Sequence, residues 1–265
     1  SPSMMNAAFS ELSIDAQYVA MSLDEGALED RFTELKGGRL SGMNITIPFK
    51  SSIIPLLDGL DALSARIGAV NTVKKEGKRF IGHNTDVEGI VRPLERFFEG
   101  EIGTVIVIGS GGAARAFFEA MSRFRCKRVS ILVRDKSRAS RFASEMRSKF
   151  GGMEVELHSF SESGPLTRSS FHLLFNASPI GSGGIPLPEP VRAIVRSSTT
   201  VFDAVYRPMR TELLAEAEKS GARAIFGYEM LLHQGGAAFE LWTGREAPLG
   251  VMEERVLDSL GAEGH

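Results

Sequence analysis

Three short stretches gather side chains able to move a proton: Asn44-Ile45-Thr46-Ile47-Pro48-Phe49-Lys50, Asn71-Thr72 and Asn84-Thr85-Asp86. A lysine and a carboxylate among amides and hydroxyls can take a proton from an alcohol or return one to a forming alkoxide. A lysine beside a carboxylate is ordinarily a surface ion pair. Here Lys50 follows a strand-ending proline, Asp86 stands at a predicted helix start, and Asn44, Thr46 and Asn71 can hydrogen-bond several hydroxyls. Downstream, Gly109-Ser110-Gly111-Gly112-Ala113-Ala114-Arg115 closes the strand-like run Thr104-Val105-Ile106-Val107-Ile108 and opens an alanine-rich helical pattern. Glycines at such a turn let the backbone approach a pyrophosphate, and the helix N-terminus offers unpaired N–H groups to its charge. Together these features point to hydride transfer coupled to proton transfer.

The elements that must position them follow from periodicity. Ser1-Pro2 reads as an N-cap followed by proline at the first helical position, and Met4, Met5, Ala8, Phe9 and Leu12 continue an apolar stripe. Strand-like runs at residues 17–21, 42–47, 69–73 and 79–81, with a helical run at 28–35, predict a small α/β unit. Pro48 has no N–H to give a ladder, so it should end the 42–47 strand and leave Lys50 at its carboxyl end, where open α/β sheets bind ligands. A connecting helix at 87–98 leads to strands at 104–108, 128–133, 153–157, 171–175, 199–203 and 223–225, interleaved with helices at 112–123, 137–149 and 211–219. That alternation predicts a doubly wound parallel sheet. The loop from Gly181 to Pro190, rich in glycine and proline, is expected to be irregular and able to act as a lid. Helices at 227–242 and 251–260 are expected to return to the first domain. The predicted fold is therefore a two-domain α/β protein. An N-terminal α/β substrate domain spans residues 1–99, a Rossmann-like dinucleotide domain 100–226, and C-terminal helices 227–265.

Composition narrows the partners. The 265 residues are 43% hydrophobic and 24% charged, enough for two packed cores, and a net charge of −2 gives no reason to expect nucleic acid. No apolar run reaches the ~20 residues that span a bilayer, and no basic-then-apolar leader opens the sequence. With one cysteine, Cys126, no intramolecular disulfide forms, which fits a reducing compartment. A cytoplasmic protein acting on small molecules, as a monomer or homodimer, is expected. The histidines at 83, 158, 172, 233 and 265 lack metal-ligand spacing, so no metal site is expected. Ser110 lacks the G-x-S-x-G context of a hydrolase nucleophile, and Cys126 has no activating neighbour in sequence.

The end of the second strand bears on the cofactor. Where an NAD site places Asp or Glu, about 20 to 25 residues past the first glycine, the chain has Val133-Arg134-Asp135-Lys136-Ser137-Arg138. Two arginines four apart suit the 2′-phosphate of NADP, since a planar guanidinium grips phosphate and stacks on adenine. Asp135 would repel that phosphate and could instead hold a ribose hydroxyl, so NAD stays open as the alternative.

At these residues the chain resembles the shikimate/quinate dehydrogenase family. The matching stretches are residues 1–9, 44–50, 68–72, 82–86, 109–114, 176–181, 203–208 and 227–234, in family order over nearly the whole chain. The resemblance implies reversible NADP-dependent reduction of 3-dehydroshikimate to shikimate. It implies Lys50 and Asp86 as the catalytic pair, with Ser1, Thr46, Asn71, Tyr206 and Gln234 around the substrate. Gly109, Ser110, Gly111, Gly112, Ala113, Arg134 and Arg138 would hold the cofactor, and Asn176, Ser178, Val205, Gly227 and Met230 would line the nicotinamide pocket. Three departures stand out. Ser178 replaces the usual Thr, Val133 and Asp135 replace the usual Asn and Thr, and the family's opening strand and Gly-x-Pro-x-x-x-Ser turn are absent. The last implies an upstream segment of about 10 to 15 residues, without which a sheet edge would lie exposed. An NAD-preferring quinate/shikimate dehydrogenase and a non-catalytic shikimate-binding sensor are the alternative readings.

Overall fold

The computed structural model describes residues 2–261, so Ser1 and its expected role lie outside the described residues. The chain forms two compact units, one of residues 1–89 with 232–265 and the other of residues 90–231.

In the first unit, α1 (Pro2–Glu11) buries the predicted stripe of Met4, Met5, Ala8 and Phe9. The remaining elements are α2 (Leu28–Lys36), β1 (Gly42–Asn44), β2 (Gly59–Leu60), α3 (Ala62–Ile67), β3 (Thr72–Glu76) and β4 (Arg79–His83), followed by α4 (Asp86–Glu95), whose first residues belong here. The sheet order is β1-β3-β4-β2. Antiparallel register sets Asn44 opposite Thr72, and Thr72 opposite His83. Its core is Phe32, Ile45, Ile53, Val70, Val73 and Phe80, with Phe32 and Phe80 edge to face at 5.7 Å.

Two expectations fail in this unit, and a third is displaced, the strand foreseen at 69–73 running instead over Thr72–Glu76. Residues 17–21 are not a strand. The N–H and C=O of Tyr18 are taken by the amide of Asn6, at 2.7 and 2.9 Å, so a side chain supplies the partners that a ladder would have supplied. The strand foreseen at 42–47 stops at Asn44, and residues 47–53 form turns through bonds such as Ile53 N–H to Phe49 C=O. Both β2 and α3 escaped the periodicity search because two and six residues carry too little pattern. Local chemistry defines α3 instead: Asp61 accepts from the Ser64 N–H at its start, and Gly68 closes it at φ 74°.

The second unit contains β5 (Thr104–Ile108), α5 (Gly112–Arg123), β6 (Arg128–Val133), α6 (Lys136–Lys149), β7 (Glu154–Ser159), α7 (Gly164–Arg168), β8 (Leu173–Asn176), α8 (Glu189–Arg192), β9 (Thr200–Asp203), α9 (Glu212–Lys219) and β10 (Arg223–Ile225). All strands are parallel in the order β10-β9-β8-β5-β6-β7. The chain winds outward from β5 in one direction and then from β8 in the other, the arrangement of a dinucleotide-binding sheet with its switch point between these strands. β8 and β9 are buried throughout and β5 nearly so, as helices on both faces require. Phe117 stacks on Phe175 at 4.7 Å, and Phe175 meets Phe202 at 5.1 Å. The 181–190 loop is irregular only to Pro188; Glu189 and Pro190 already belong to α8, because proline in a first turn sacrifices no helical donor.

The chain then forms α10 (Gly227–Thr243) and α11 (Leu249–Gly261), and from Leu232 onward it is part of the first unit, where α11 packs against α1. The Trp242 indole N–H donates to the Val73 carbonyl at 3.0 Å across Gly42, where any Cβ would collide with the indole.

Candidate active site

Lys50 lies in the turns after β1, with its carbonyl accepting from the Val70 N–H at 2.7 Å, and Asp86 is the first residue of α4. The Lys50 ammonium donates to Asp86 Oδ2 at 2.6 Å, and the two side chains are 16% and 5% exposed. The pair is therefore no solvated surface contact. The backbone around Asp86 is pinned: Asn84 accepts from the Asp86 N–H at 3.1 Å and donates to the Ala69 carbonyl at 2.9 Å. Burial of Asn71, Thr72, Asn84, Thr85 and Asp86, all under 9% exposed, is tolerated because each finds partners among the others.

Asn71 is the hub. Its Nδ2 lies within donor distance of Asp86 Oδ1 at 2.9 Å, Thr85 Oγ1 at 3.0 Å and Gln234 Oε1 at 3.3 Å. Its Oδ1 accepts from the Thr85 N–H at 2.7 Å and the Thr72 hydroxyl at 3.0 Å. Four sequence-predicted residues, Lys50, Asn71, Asp86 and Gln234, thus meet in one cluster. Thr46 is exposed, and its carbonyl accepts the Phe49 N–H. Asn44 does not present a free amide as expected. Its Oδ1 accepts the Tyr18 hydroxyl at 3.0 Å, and its Nδ2 donates to the Asn71 carbonyl at 3.2 Å and Thr72 Oγ1 at 3.0 Å. Tyr18 was missed because nothing in a lone tyrosine 26 residues from Asn44 announces the contact. Beside the cluster, His83 Nδ1 is 3.0 Å from Asp61 Oδ2. Burial pushes the Asp61 carboxyl up, but the His83 and Ser64 hydrogen bonds outweigh it and leave the pKa lowered.

In the second unit the predicted cofactor residues gather at the carboxyl ends of the parallel strands. Gly109 follows β5 at φ 103°, with Ala177 and Ser178 3.2 Å from where a Cβ would stand, so both backbone shape and packing demand glycine. Gly111 differs. Its φ is −88°, and a Cβ there would meet no protein atom within 4 Å. Neither strain nor packing demands that glycine, and the open space leaves room for a ligand to approach the backbone. The first α5 backbone bond runs from the Arg115 N–H to the Gly111 carbonyl, and no side chain caps the helix, so the N–H groups of its first turn have no intrahelical acceptor. The residues thus fit a pyrophosphate.

Arg134 follows β6, is exposed, and has no ion-pair partner among the described residues; Arg138 lies 3.5 Å from Asp135. Asp135 caps α6, accepting from the Ser137 hydroxyl at 2.6 Å and from the Ser137 and Arg138 N–H groups at 2.9 and 3.3 Å. These bonds, the Ser137 hydroxyl first, hold its carboxyl below the usual range. All three of these bonds fall on one oxygen, Oδ1, while Oδ2 faces Arg138.

Asn176 and Asp203 end β8 and β9. Asn176 donates to Asp203 Oδ1 at 2.8 Å and to the Ile180 carbonyl at 3.0 Å, and accepts the Ser178 hydroxyl at 2.6 Å. Asp203 also accepts from the Val205 N–H at 3.0 Å and the Thr211 hydroxyl at 2.6 Å. Asp203 is fully buried, no ion pair to it appears among the described residues, and burial pushes its carboxyl up to about 6 against these three hydrogen bonds. Thr211, which also caps α9, was not foreseen. Gly227 has its α-carbon against the carbonyls of Val205 and Asp203, and Met230 is buried one helical turn later. Tyr206 is 38% exposed, with the Arg207 guanidinium 6.0 Å from its ring centroid. Among the described residues, no three His, Cys, Asp or Glu side chains are grouped to hold a metal.

Residues 1–73 match the model of the shikimate dehydrogenase substrate binding domain, and residues 227–257 that of the shikimate 5'-dehydrogenase C-terminal domain. The NADP(+) shikimate dehydrogenase of Geobacter metallireducens is 36% identical, over 98% of this chain and 92% of that one. The chain belongs to the shikimate dehydrogenase family. Among solved structures of shikimate dehydrogenases, one in complex with NADP+ superposes with a TM-score of 0.89 at 33% identity, covering 98% of this chain and 90% of that one. The Thermus thermophilus enzyme, in complex with NADP(H) and shikimate, gives 0.83 at 31% identity, covering 98% and 94%. No helix among the described residues is long and apolar enough to cross a membrane.

Proposed function

We propose that this chain catalyses the reversible NADP-dependent interconversion of 3-dehydroshikimate and shikimate, with Lys50 and Asp86 as the proton-transfer pair. The observation that carries the reading is a nearly buried carboxylate held by an ammonium at 2.6 Å and an amide at 2.9 Å, in a chain of this family. The nicotinamide, when bound, supplies or accepts the hydride. Lys50 Nζ and Asp86 exchange the substrate hydroxyl proton as a pair, so the charge developing on oxygen is met where it forms. Asn71 and Gln234, together with Ser1, Thr46 and Tyr206, read the substrate carboxylate and hydroxyls. Gly109 to Ala113 receive the pyrophosphate, Arg134 and Arg138 the 2′-phosphate, and Asn176, Ser178, Val205, Gly227 and Met230 face the nicotinamide. The single buried cysteine fits a cytoplasmic setting.

The test is turnover of shikimate with NADP+, followed by absorbance of the reduced nicotinamide. Lys50→Ala should lower kcat by about 10²- to 10⁴-fold while leaving the circular dichroism spectrum intact. Normal turnover in that variant would remove Lys50 from the mechanism. Pairing shikimate or quinate with NADP+ or NAD+ decides the substrate and cofactor, and calorimetric binding of shikimate with no turnover under any pairing would mark a sensor instead.

A further inference from the structure

Tyr18 stands outside regular structure, yet its hydroxyl begins an ordered series of hydrogen bonds that ends on Asp86. The Tyr18 hydroxyl lies 3.0 Å from Asn44 Oδ1, Asn44 Nδ2 is 3.0 Å from Thr72 Oγ1, Thr72 Oγ1 is 3.0 Å from Asn71 Oδ1, and Asn71 Nδ2 is 2.9 Å from Asp86 Oδ1. Backbone groups fix the orientation of both amides. The Thr85 N–H can only donate and lies 2.7 Å from Asn71 Oδ1, so oxygen is there and the amide nitrogen faces Asp86. The Asn71 carbonyl can only accept and lies 3.2 Å from Asn44 Nδ2, so the Asn44 oxygen faces Tyr18 and the tyrosine must donate. Thr72 Oγ1 takes the Asn44 hydrogen and lies 3.0 Å from Asn71 Oδ1 and 3.1 Å from Thr85 Oγ1; the relay runs through the shorter contact, to Asn71.

We propose that Tyr18 is a positioning residue for the proton-transfer pair, acting through Asn44, Thr72 and Asn71 to hold the Asn71 amide toward Asp86 and to stabilise the anionic carboxylate. Four bonds aligned donor to acceptor polarise one another, and Thr72 and Asn71, 0% and 2% exposed, place the inner links away from solvent. Burial raises the pKa of Tyr18, which keeps its hydroxyl in the donor form. The relay makes Asn44 a support for the site rather than a reader of substrate hydroxyls. The inference rests on Lys50 and Asp86 being the reacting pair.

Tyr18→Phe removes one oxygen and keeps the ring 6.2 Å from Trp242, the single tryptophan, whose fluorescence reports whether packing is retained. With that spectrum unchanged, kcat for shikimate should fall about three- to tenfold while the KM for NADP+ stays within twofold. Adding Thr72→Val, or Asn44→Ala if that variant does not fold, should slow Tyr18→Phe no further than the added substitution alone. Wild-type kcat in Tyr18→Phe, or effects that multiply, would overturn the relay. No turnover by the unsubstituted chain would overturn both the relay and the assigned reaction.

Discussion

At the scale of single residues, the site turns on how buried polar groups are paid for. Asp86 is tolerated at 3% exposure because Lys50 and Asn71 both donate to its carboxylate, while Asn84 accepts its backbone N–H. The arginines at the end of β6 sit at the opposite extreme, exposed and without such ties, apart from the Arg138 contact with Asp135. Exposed cations contribute little to stability but can contribute much to phosphate recognition. Replacing Arg134 and Arg138 together with alanine should therefore raise the KM for NADP+ by roughly tenfold or more, leave the KM for NAD+ within twofold, and leave the Tm unchanged. Steady-state kinetics with both cofactors checks it; an equal loss for both would place the arginines elsewhere. The Lys50 and Asp86 types were legible in the sequence, as was Asn71. The inward turn of Asn44 was not, since an amide's partner depends on which way its side chain points.

At the scale of elements, close backbone approach decides where glycine is indispensable. α10 starts at Gly227, and a Cβ there would stand 2.9 Å from the Asp203 carbonyl and closer still to that of Val205. Helix propensity favours alanine over glycine by about 1 kcal/mol, yet both obstructing atoms are backbone and cannot swing aside. Overpacking should win, so Gly227→Ala is expected to destabilise the protein by about 3 kcal/mol in chemical denaturation. The parallel strands were legible as elements because fully buried runs such as that of β5 need only local composition to be recognised. Residues 17–21 misled the same reasoning: their composition is strand-like, but a strand is defined by its neighbour, and Asn6 occupies the backbone groups of Tyr18 instead.

For the molecule as a whole, Asp203 makes stability depend on pH. Its folded pKa of about 6 lies above the unfolded carboxyl value, so between these values the folded chain binds more protons than the unfolded one. The contribution is present in full below the unfolded pKa and is lost as pH rises through about 6, a difference of about 3 kcal/mol at most. Asp203→Asn should flatten the fall in Tm across that window, by calorimetry from pH 4 to 7; an unaltered slope would show the carboxyl is not the group responsible. The glycine turn, the alternation of strands and helices and the residue types for proton transfer were set by sequence alone, because each depends on neighbours a few positions apart. Only the tertiary structure brought Asn71 to Gln234, Tyr18 to Asn44 and Asp203 to Asn176 and Thr211. Those contacts depend on register and side-chain direction, which are fixed only once distant segments have packed.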